Sequence, residues 1–241
     1  MTAFLLFTRL VKTKINFFFI VLLFLLASPL CFSTDLPQEQ SKDHEWILSK
    51  KSSVMSLFYR DIANSGLIEI RATTHFNSSL SGFILFFQDS ENTKNWLENA
   101  YESQILKKID ANTHIVKTKF KGFWLFKNRH MNIKSHYRQN EDLSLEFIFE
   151  NADDKTPKSL ESTSNSILID VISARWLIVP VKNNNIAIEY NYIVDAKGDI
   201  PHWLINKAIL NSTWQSLENI RRQLPLSKWQ SSTLSHIKEL D

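Results

Sequence analysis

Apolar and polar residues alternate in several stretches after residue 54 of the 241-residue chain. Between residues 186 and 194, one face of an extended chain would carry Ile186, Ile188, Tyr190, Tyr192 and Val194. The stretch from 143 to 149 repeats the pattern with Leu143, Leu145, Phe147 and Phe149. Strands with one apolar and one polar face are typical of an antiparallel sheet whose inner side is covered.

The same alternation, interrupted by turn residues, predicts the other strands. We expect strands at 54–60, 67–74, 105–108, 114–121, 129–137, 143–149, 167–181 and 186–194. Two short helices are predicted, one from a cap at Ser78 or Ser79 to residue 87 and one from a cap at Asp89 or Ser90 to residue 97. The polar stretch 151–166 is predicted to be an exposed loop within a single domain.

A long amphipathic helix is predicted near the end of the chain. Gly198 ends the last strand, Asp199 caps the helix, Pro201 occupies its first turn, and Leu224 ends it before Pro225. Its apolar stripe consists of Trp203, Leu210, Trp214, Leu217, Ile220 and Leu224. Because this stripe must be buried, we expect the helix to cover the inner face of the sheet, which gives an α+β fold.

The first 33 residues are predicted to be a secretory signal peptide. Arg9, Lys12 and Lys14 precede an unbroken apolar run from 17 to 27, and small or polar residues follow up to Ser33. The alternative is an uncleaved N-terminal membrane anchor, although the run is shorter than the ~20 residues that a span needs. We therefore expect a protein secreted across the inner membrane into the periplasm.

Cleavage after Ser33 changes the composition of the chain. The whole sequence has 28 basic and 25 acidic residues, and the predicted signal peptide contains three basic residues and no acidic one, so the mature chain is neutral. A neutral chain gives no reason to expect nucleic-acid binding. The single cysteine, Cys31, also lies in the signal peptide, which excludes disulfides, a thiolate nucleophile and Cys-ligated zinc from the mature chain. No cofactor is expected.

The sequence resembles the START (StAR-related lipid-transfer) family, as a secreted bacterial member of the helix-grip (SRPBCC) superfamily. The segment GDIPHWLIN at 198–206 is similar to the start of the family's last helix, and WILSKKSSVMSLFYRD, LIEIRATT, FFQDSENTKNWLE, FKNRH, ARWLIVPV and IAIEYNYIVDAKGDIP are similar to earlier elements in the family's order. The similarity extends over about 46–224. Where the family often has an Arg-Asp pair, this chain has Arg129 followed by His130.

This resemblance implies a helix-grip fold, a curved antiparallel sheet wrapped around a long C-terminal helix with an internal apolar cavity. It also implies binding of one hydrophobic molecule, such as a lipid or sterol, with transient membrane contact. Residues that would line the cavity are Phe147, Trp176, Tyr190, Tyr192, Trp203, Leu210 and Trp214. The same aromatic residues could instead fill a solid core. Arg129 is a candidate anchor for a ligand head group, or an outward-facing solvated arginine.

Two other classes of function stay open. Related helix-grip proteins include cyclases and hydrolases, so a cavity enzyme is the alternative function, although no catalytic motif is present. A structural or partner-binding domain would have a filled core and an exposed apolar patch. His130 and His136 share a strand face without a third ligand, so metal binding is not expected.

The domain boundaries follow from these elements. We expect a signal peptide at 1–33, a linker at 34–45, a START-like domain at 46–225 and a helical C-terminal extension at 226–241. We expect the protein to be a monomer that binds a lipid or another hydrophobic small molecule and no nucleic acid.

Overall fold

The structure, a computed structural model, describes residues 45–122, 126–152 and 166–240. The predicted signal peptide at 1–33, nearly all of the predicted linker at 34–45 and most of the predicted loop at 151–166 lie outside the described residues.

This part of the chain contains ten strands, namely β1 Ile47–Lys51, β2 Met55–Asp61, β3 Ile68–Asn77, β4 Ala100–Lys108, β5 Thr113–Phe120, β6 Asn128–Gln139, β7 Leu145–Asn151, β8 Ser166–Leu168, β9 Asp170–Val181 and β10 Asn185–Asp195. They form one sheet in the order β1-β2-β3-β10-β9-β7-β6-β5-β4, and β8 pairs with β6. The neighbours along this path are antiparallel, whereas β8 runs parallel to β6.

Three α-helices accompany the sheet in the described residues, namely α1 Leu80–Gln88, α2 Ser90–Trp96 and α3 His202–Gln223. Ser79 caps α1, because its side chain accepts a hydrogen bond from the Gly82 backbone N–H. The sheet with its long C-terminal helix is the α+β helix-grip fold that the sequence predicted.

The core follows the alternation of the strands. In β3, Ile68, Ile70 and Ala72 are buried, and the residues between them are half-buried. The C-terminal half of α3 joins the same apolar cluster through Trp214, Leu217 and Ile220, and Leu224 directly after the helix joins it too. This half of the helix is therefore fixed against the sheet by side-chain burial.

Several boundaries differ from the prediction. The stretch 167–181 is split at Ile169, because the chain leaves its pairing with β6 there and pairs with β7 and β10 instead. Strand β1 was not predicted as a separate strand, since all five of its residues are exposed and its sequence does not alternate. Helix α3 begins at His202 with Pro201 at the N-cap and no side-chain cap, so the prediction of Asp199 as the cap was wrong.

The C-terminal extension is not an α-helix in the described residues. Two short 3-10 segments, Leu224–Leu226 and Lys228–Ser231, are followed by irregular chain. This chain lies against α1 and β6, where Gln139 exchanges hydrogen bonds with the backbone of Lys238 and Ile237 is buried. Contacts with the domain, and not helix propensity, set its conformation.

Candidate functional site

A cavity of about 550 Å³ lies between the inner face of the sheet and α3. Its walls come from inward-facing residues on several strands, among them Met131 and Ile133 on β6, Ala174 and Trp176 on β9, and Tyr190, Tyr192 and Val194 on β10. Pockets that enclose small organic ligands usually have volumes of about 300 to 1,000 Å³ and mostly apolar walls. The size and lining of this cavity suit one such molecule.

Helix α3 closes the cavity with a face that includes Leu217 and Ile220 of the predicted stripe but none of Trp203, Leu210 and Trp214. The residues that reach the cavity include Ile205, Ile209, Thr213, Ser216 and Ile220, which recur at spacings of three and four. The loop before β4 is bound to this helix, because the Glu98 backbone N–H donates to the Ser216 hydroxyl at 2.9 Å and the Asn99 amide donates to the Ser212 hydroxyl at 2.9 Å.

The structure brings together only some of the predicted site residues. Arg129, Trp176, Tyr190 and Tyr192 line the cavity. Phe147 is buried in the adjoining core and lines a smaller neighbouring pocket instead.

The helix residues of the predicted site lie outside the cavity wall. Trp203 is 70% exposed, so its prediction as an inward-facing residue was wrong. Leu210 is half-buried beside the core, and Trp214 is buried in the core cluster with the Lys50 ammonium 4.3 Å from its ring centroid. The predicted stripe is therefore buried along its C-terminal half, and only Leu217 and Ile220 of that stripe reach the cavity.

Stacked aromatic rings form the wall on β9 and β10. Trp176 stacks on Tyr190 with ring centroids 4.5 Å apart, and Tyr190 stacks on Tyr192 at 4.6 Å. Thr213 donates its hydroxyl proton to the Ile209 carbonyl at 2.8 Å, so the Tyr192 hydroxyl donates to the Thr213 oxygen in the bond that joins β10 to α3. These contacts hold the rings in fixed orientations.

The two tyrosines are neutral. Burial raises the pKa of both phenols, and for Tyr190 the nearby Tyr192 raises the pKa further. This wall therefore presents an uncharged surface to whatever occupies the cavity.

Arg129 occupies one end of the cavity as a buried cation. Its guanidinium donates hydrogen bonds to three backbone carbonyls, those of Ala196 at 3.0 Å, Lys127 at 3.0 Å and Lys197 at 3.1 Å. Burial lowers the pKa of Arg129, but an arginine in a protein remains charged. Two of these bonds hold the connection between β10 and α3, and the side chain is buried, so it is not the outward-facing solvated arginine of the alternative hypothesis.

A second pocket of about 40 Å³ adjoins the cavity. Gln88, Ser90, Thr93, His114 and Ser135 supply its polar side chains, and Phe87, Ile105, Val116 and Phe147 supply its apolar ones. None of these polar residues was predicted from the sequence to belong to a binding site. The sequence does indicate that His114 faces inward, because it lies two residues from Val116 and therefore on the same face of β5.

The histidines of β6 belong to other contacts. His130 Nδ1 lies 2.7 Å from the Ser166 hydroxyl, and His136 Nδ1 lies 2.9 Å from the Thr113 hydroxyl. Across residues 45–122, 126–152 and 166–240, no cluster of three or more His, Cys, Asp or Glu side chains could hold a metal ion. Over the same ranges, no helix has the length and apolar character needed to cross a membrane.

Comparisons with known proteins agree with this geometry. Among solved structures, the lipid transfer and protein localization domain of human StarD13 is similar with a TM-score of 0.64 and 13% identity, over 88% of this chain and 98% of that one. A STAR-related lipid transfer protein fragment from Xanthomonas axonopodis gives a TM-score of 0.61 and 19% identity, over 75% and 98% of the two chains. Human StAR-related lipid transfer protein 5 gives a TM-score of 0.65 and 12% identity, over 75% of this chain and 86% of that one.

These identities are low, so the solved structures show the fold alone. No curated protein matches the sequence. The START domain family matches residues 35–229, which is most of the chain. The chain therefore belongs to the START domain family.

Proposed function

We propose that this protein binds one hydrophobic molecule, a lipid or a sterol-like compound, in the cavity between the sheet and α3 and shields it from water. The observation that carries this proposal is the cavity of about 550 Å³, whose wall includes the stacked rings of Trp176, Tyr190 and Tyr192. Apolar surface of this kind gains free energy when an apolar ligand displaces water from it.

Binding without catalysis is the function that the polar groups of the cavity favour. Tyr190 and Tyr192 are neutral phenols, and Arg129 is engaged by three backbone carbonyls. General acid-base catalysis needs a group whose pKa lies near the working pH. These three side chains do not meet that requirement, which supports a role in carrying or transferring a ligand. Glu98 and Lys121 are the other ionisable side chains of the cavity wall.

Export is part of the same proposal. The charged and apolar pattern of residues 1–33 supports a signal peptide that directs the chain to the periplasm, where a lipid needs protection from water. Expression of the full chain followed by mass measurement of the periplasmic product tests this. We expect a mature protein that begins at Thr34, whereas an uncut chain in the membrane fraction would indicate an N-terminal anchor.

The test of ligand binding is extraction of the purified protein with organic solvent and identification of the extracted molecules by mass spectrometry. We expect a hydrophobic molecule in about stoichiometric amount. Ala208 lines the cavity, so Ala208→Phe should fill part of it and reduce the amount of ligand. Ala63→Phe, in the exposed turn between β2 and β3, is the matched control and should retain the ligand. The proposal would be contradicted by an extract without a hydrophobic molecule, or by equal amounts of extracted ligand from Ala208→Phe and Ala63→Phe.

A further inference from the structure

The wall of the large cavity changes character along β5 and β6. Paired residues of these two strands form successive rows of the wall, namely Phe120 with Arg129, Thr118 with Met131, and Val116 with Ile133. Each row lies two residues, or about 7 Å, beyond the one before it. The wall therefore runs from a charged end at Arg129 to an apolar region at Val116 and Ile133.

Other elements extend the apolar region. Phe87 and Val116 both border the small pocket as well as the large cavity, so they lie at the same end of the cavity. The ring centroid of Phe87 is 4.9 Å from that of Trp96 and 6.3 Å from that of Phe149, and both of these rings also line the cavity. The apolar part of a ligand gains most free energy at this end.

Two hydroxyl groups lie in the wall between the two ends. Ser103 on β4 is paired in register with Thr118 on β5, and their side-chain oxygens are 3.0 Å apart. Both residues line the cavity. Thr118 is only 2% exposed, and Ser103 is half-buried. The two hydroxyls form a polar spot in the part of the wall that β4 and β5 supply.

The Ser103–Thr118 pair has one proton more than it uses. Each hydroxyl has one proton, and only one of the two protons makes the bond between them. Across residues 45–122, 126–152 and 166–240, neither oxygen has a second hydrogen-bond partner. One buried proton is therefore without an acceptor, and both oxygens have free lone pairs. A buried donor without an acceptor costs folding free energy, which an occupant of the cavity can recover.

The hydroxyl groups on the helix side of the cavity are already engaged. Thr213 donates to the Ile209 carbonyl at 2.8 Å and accepts from Tyr192, and Ser216 donates to the Ser212 carbonyl at 2.7 Å. These side chains have no proton left for a ligand. The Ser103–Thr118 pair, in contrast, has one.

The charges near the pair favour an uncharged partner. Glu102 and Lys119, the sequence neighbours of the pair, point to the other face of the sheet and form an ion pair of 2.8 Å with each other. Arg129 lies one row away, and each of its three nitrogens already donates to a backbone carbonyl. A charged group at the pair would therefore lose its hydration without a counterion in contact.

We propose that the Ser103–Thr118 pair binds the hydroxyl group of a lipid alcohol whose apolar body extends along the cavity past Val116 and Ile133. The ligand oxygen accepts the unused proton of the pair, and the ligand hydroxyl donates to a free lone pair, so each of the three hydroxyls donates once and accepts once. This inference rests on the proposed function, because the same cavity holds the apolar body.

Other polar groups match the pair less completely. An ether or ester oxygen accepts the unused proton but has none to donate. A hydrocarbon leaves the proton of the pair without an acceptor. The alcohol is the simplest uncharged group that uses both functions of the pair.

The test compares the original protein with the double variant Ser103→Ala and Thr118→Val. Displacement of an apolar fluorescent dye from the full-length protein gives the affinity of each probe, supplied from a cyclodextrin complex. The probes are hexadecanol with hexadecane, cholesterol with cholestane, and palmitic acid. Comparing one probe between two proteins cancels its solvation in water.

We expect the double variant to bind one or both alcohols about tenfold more weakly, the effect of losing two neutral hydrogen bonds. Hexadecane and cholestane should bind with unchanged or greater affinity. The alcohol that loses more affinity shows whether the apolar body is a chain or a ring system.

Matched controls separate the site from general effects of substitution. The double variant Ser173→Ala and Thr233→Val changes the same residue types at exposed positions and should bind every probe as the original protein does. Thr118→Ser keeps the hydroxyl and should keep the affinity for the alcohol. Replacing both partners of the pair by apolar groups of similar shape should leave stability almost unchanged, which thermal unfolding by circular dichroism checks.

The outcomes distinguish this inference from the proposed function. Equal affinity of the original protein and the double variant for both alcohols would mean that the pair binds only water, and would overturn the inference while hydrophobic binding stands. Tightest binding of palmitic acid would overturn the uncharged class of ligand. Failure of all five probes to displace the dye would count against the proposed function and this inference together.

Discussion

The carboxylate of Glu239 accepts a hydrogen bond of 2.8 Å from the backbone N–H of Leu80, the first residue of α1. Its other oxygen accepts one of 2.8 Å from the next residue, Ser81, and the Ser79 side chain accepts from Gly82. The first turn of α1 is thus capped partly by a residue almost 160 positions later in the chain. The family match ends at residue 229, so this cap is supplied by sequence beyond it.

Loss of this cap should destabilise the domain. We expect Glu239→Ala to lower the free energy of unfolding by about 1 to 2 kcal/mol, the usual effect of removing a helix N-cap. Urea denaturation followed by fluorescence measures the change. Glu141→Ala, in the exposed turn between β6 and β7, is the control and should have little effect. Equal stability of the two variants would show that the C-terminal segment does not support α1.

The two tryptophans of α3 should contribute unequally to stability, because one is buried and the other is exposed. Trp214 is 3% exposed, so Trp214→Ala should lower the free energy of unfolding by about 3 to 5 kcal/mol. Trp203 is largely exposed, and Trp203→Ala should change the free energy of unfolding by less than about 0.5 kcal/mol. Chemical denaturation of both variants tests whether the stripe is buried only in the C-terminal half of the helix. A loss for Trp203→Ala as large as that for Trp214→Ala would mean that the N-terminal end of the helix is packed as well.

Removal of the Arg129 guanidinium should release the segment between β10 and α3. Arg129→Met leaves three carbonyls without their donor, and we expect a loss of about 2 to 4 kcal/mol in the free energy of unfolding. Hydrogen exchange should also quicken at the backbone amides of residues 196–200. Arg222→Met, at an exposed position of α3, is the control. Unchanged hydrogen exchange at residues 196–200 in Arg129→Met would show that Arg129 does not hold this segment in place.

Stability should depend on pH through Glu146. This buried carboxylate on β7 lies between Arg175 and Arg138, and the hydrogen bond from Arg175, followed by that from Arg138, lowers its pKa despite the opposing effect of burial. Because the folded-state pKa is depressed, its stabilisation is complete above the ordinary glutamate pKa of about 4.3 and is lost as the pH falls through the folded-state value.

The measurement for Glu146 is the midpoint of urea unfolding between pH 7 and pH 3, compared for the original protein and Glu146→Gln. The variant should be less stable at pH 7 and should lose less stability on acidification. Parallel curves for the two proteins would show that the pair of arginines does not act on this carboxylate.

The strands were predictable because burial alternates along them. Ile186, Ile188, Tyr190 and Tyr192 lie on one face of β10, where three are buried and Tyr190 is half-buried, and the apolar residue types show this face in the sequence. The face of α3 was less predictable, because apolar residues such as Leu204, Ile205 and Ile209 lie beside the predicted stripe. Which side of such a helix is buried depends on the sheet that it meets.

Whether an inward-facing ring lines a hollow or a solid region could not be predicted from the strand alone. Phe147 and Tyr190 both face inward, but the rings of Phe83 and Phe87 pack on Phe147 at centroid distances of 6.0 and 5.8 Å. Tyr190 instead lines the cavity. The difference lies in what α1 places opposite each strand, which is tertiary information.

The order of the strands has a consequence for synthesis of the chain. Strand β3 pairs with β10 from Asn77↔Asn185 to Ile70↔Tyr192, so β1, β2 and β3 can join the sheet only after β10 has left the ribosome. Until then β3 has an unpaired edge with alternating apolar residues, the kind of surface that associates with other chains. Folding is therefore expected to be mainly post-translational and slow, as is usual for sheets closed by distant strands, and a nascent chain would benefit from a chaperone that holds it unfolded.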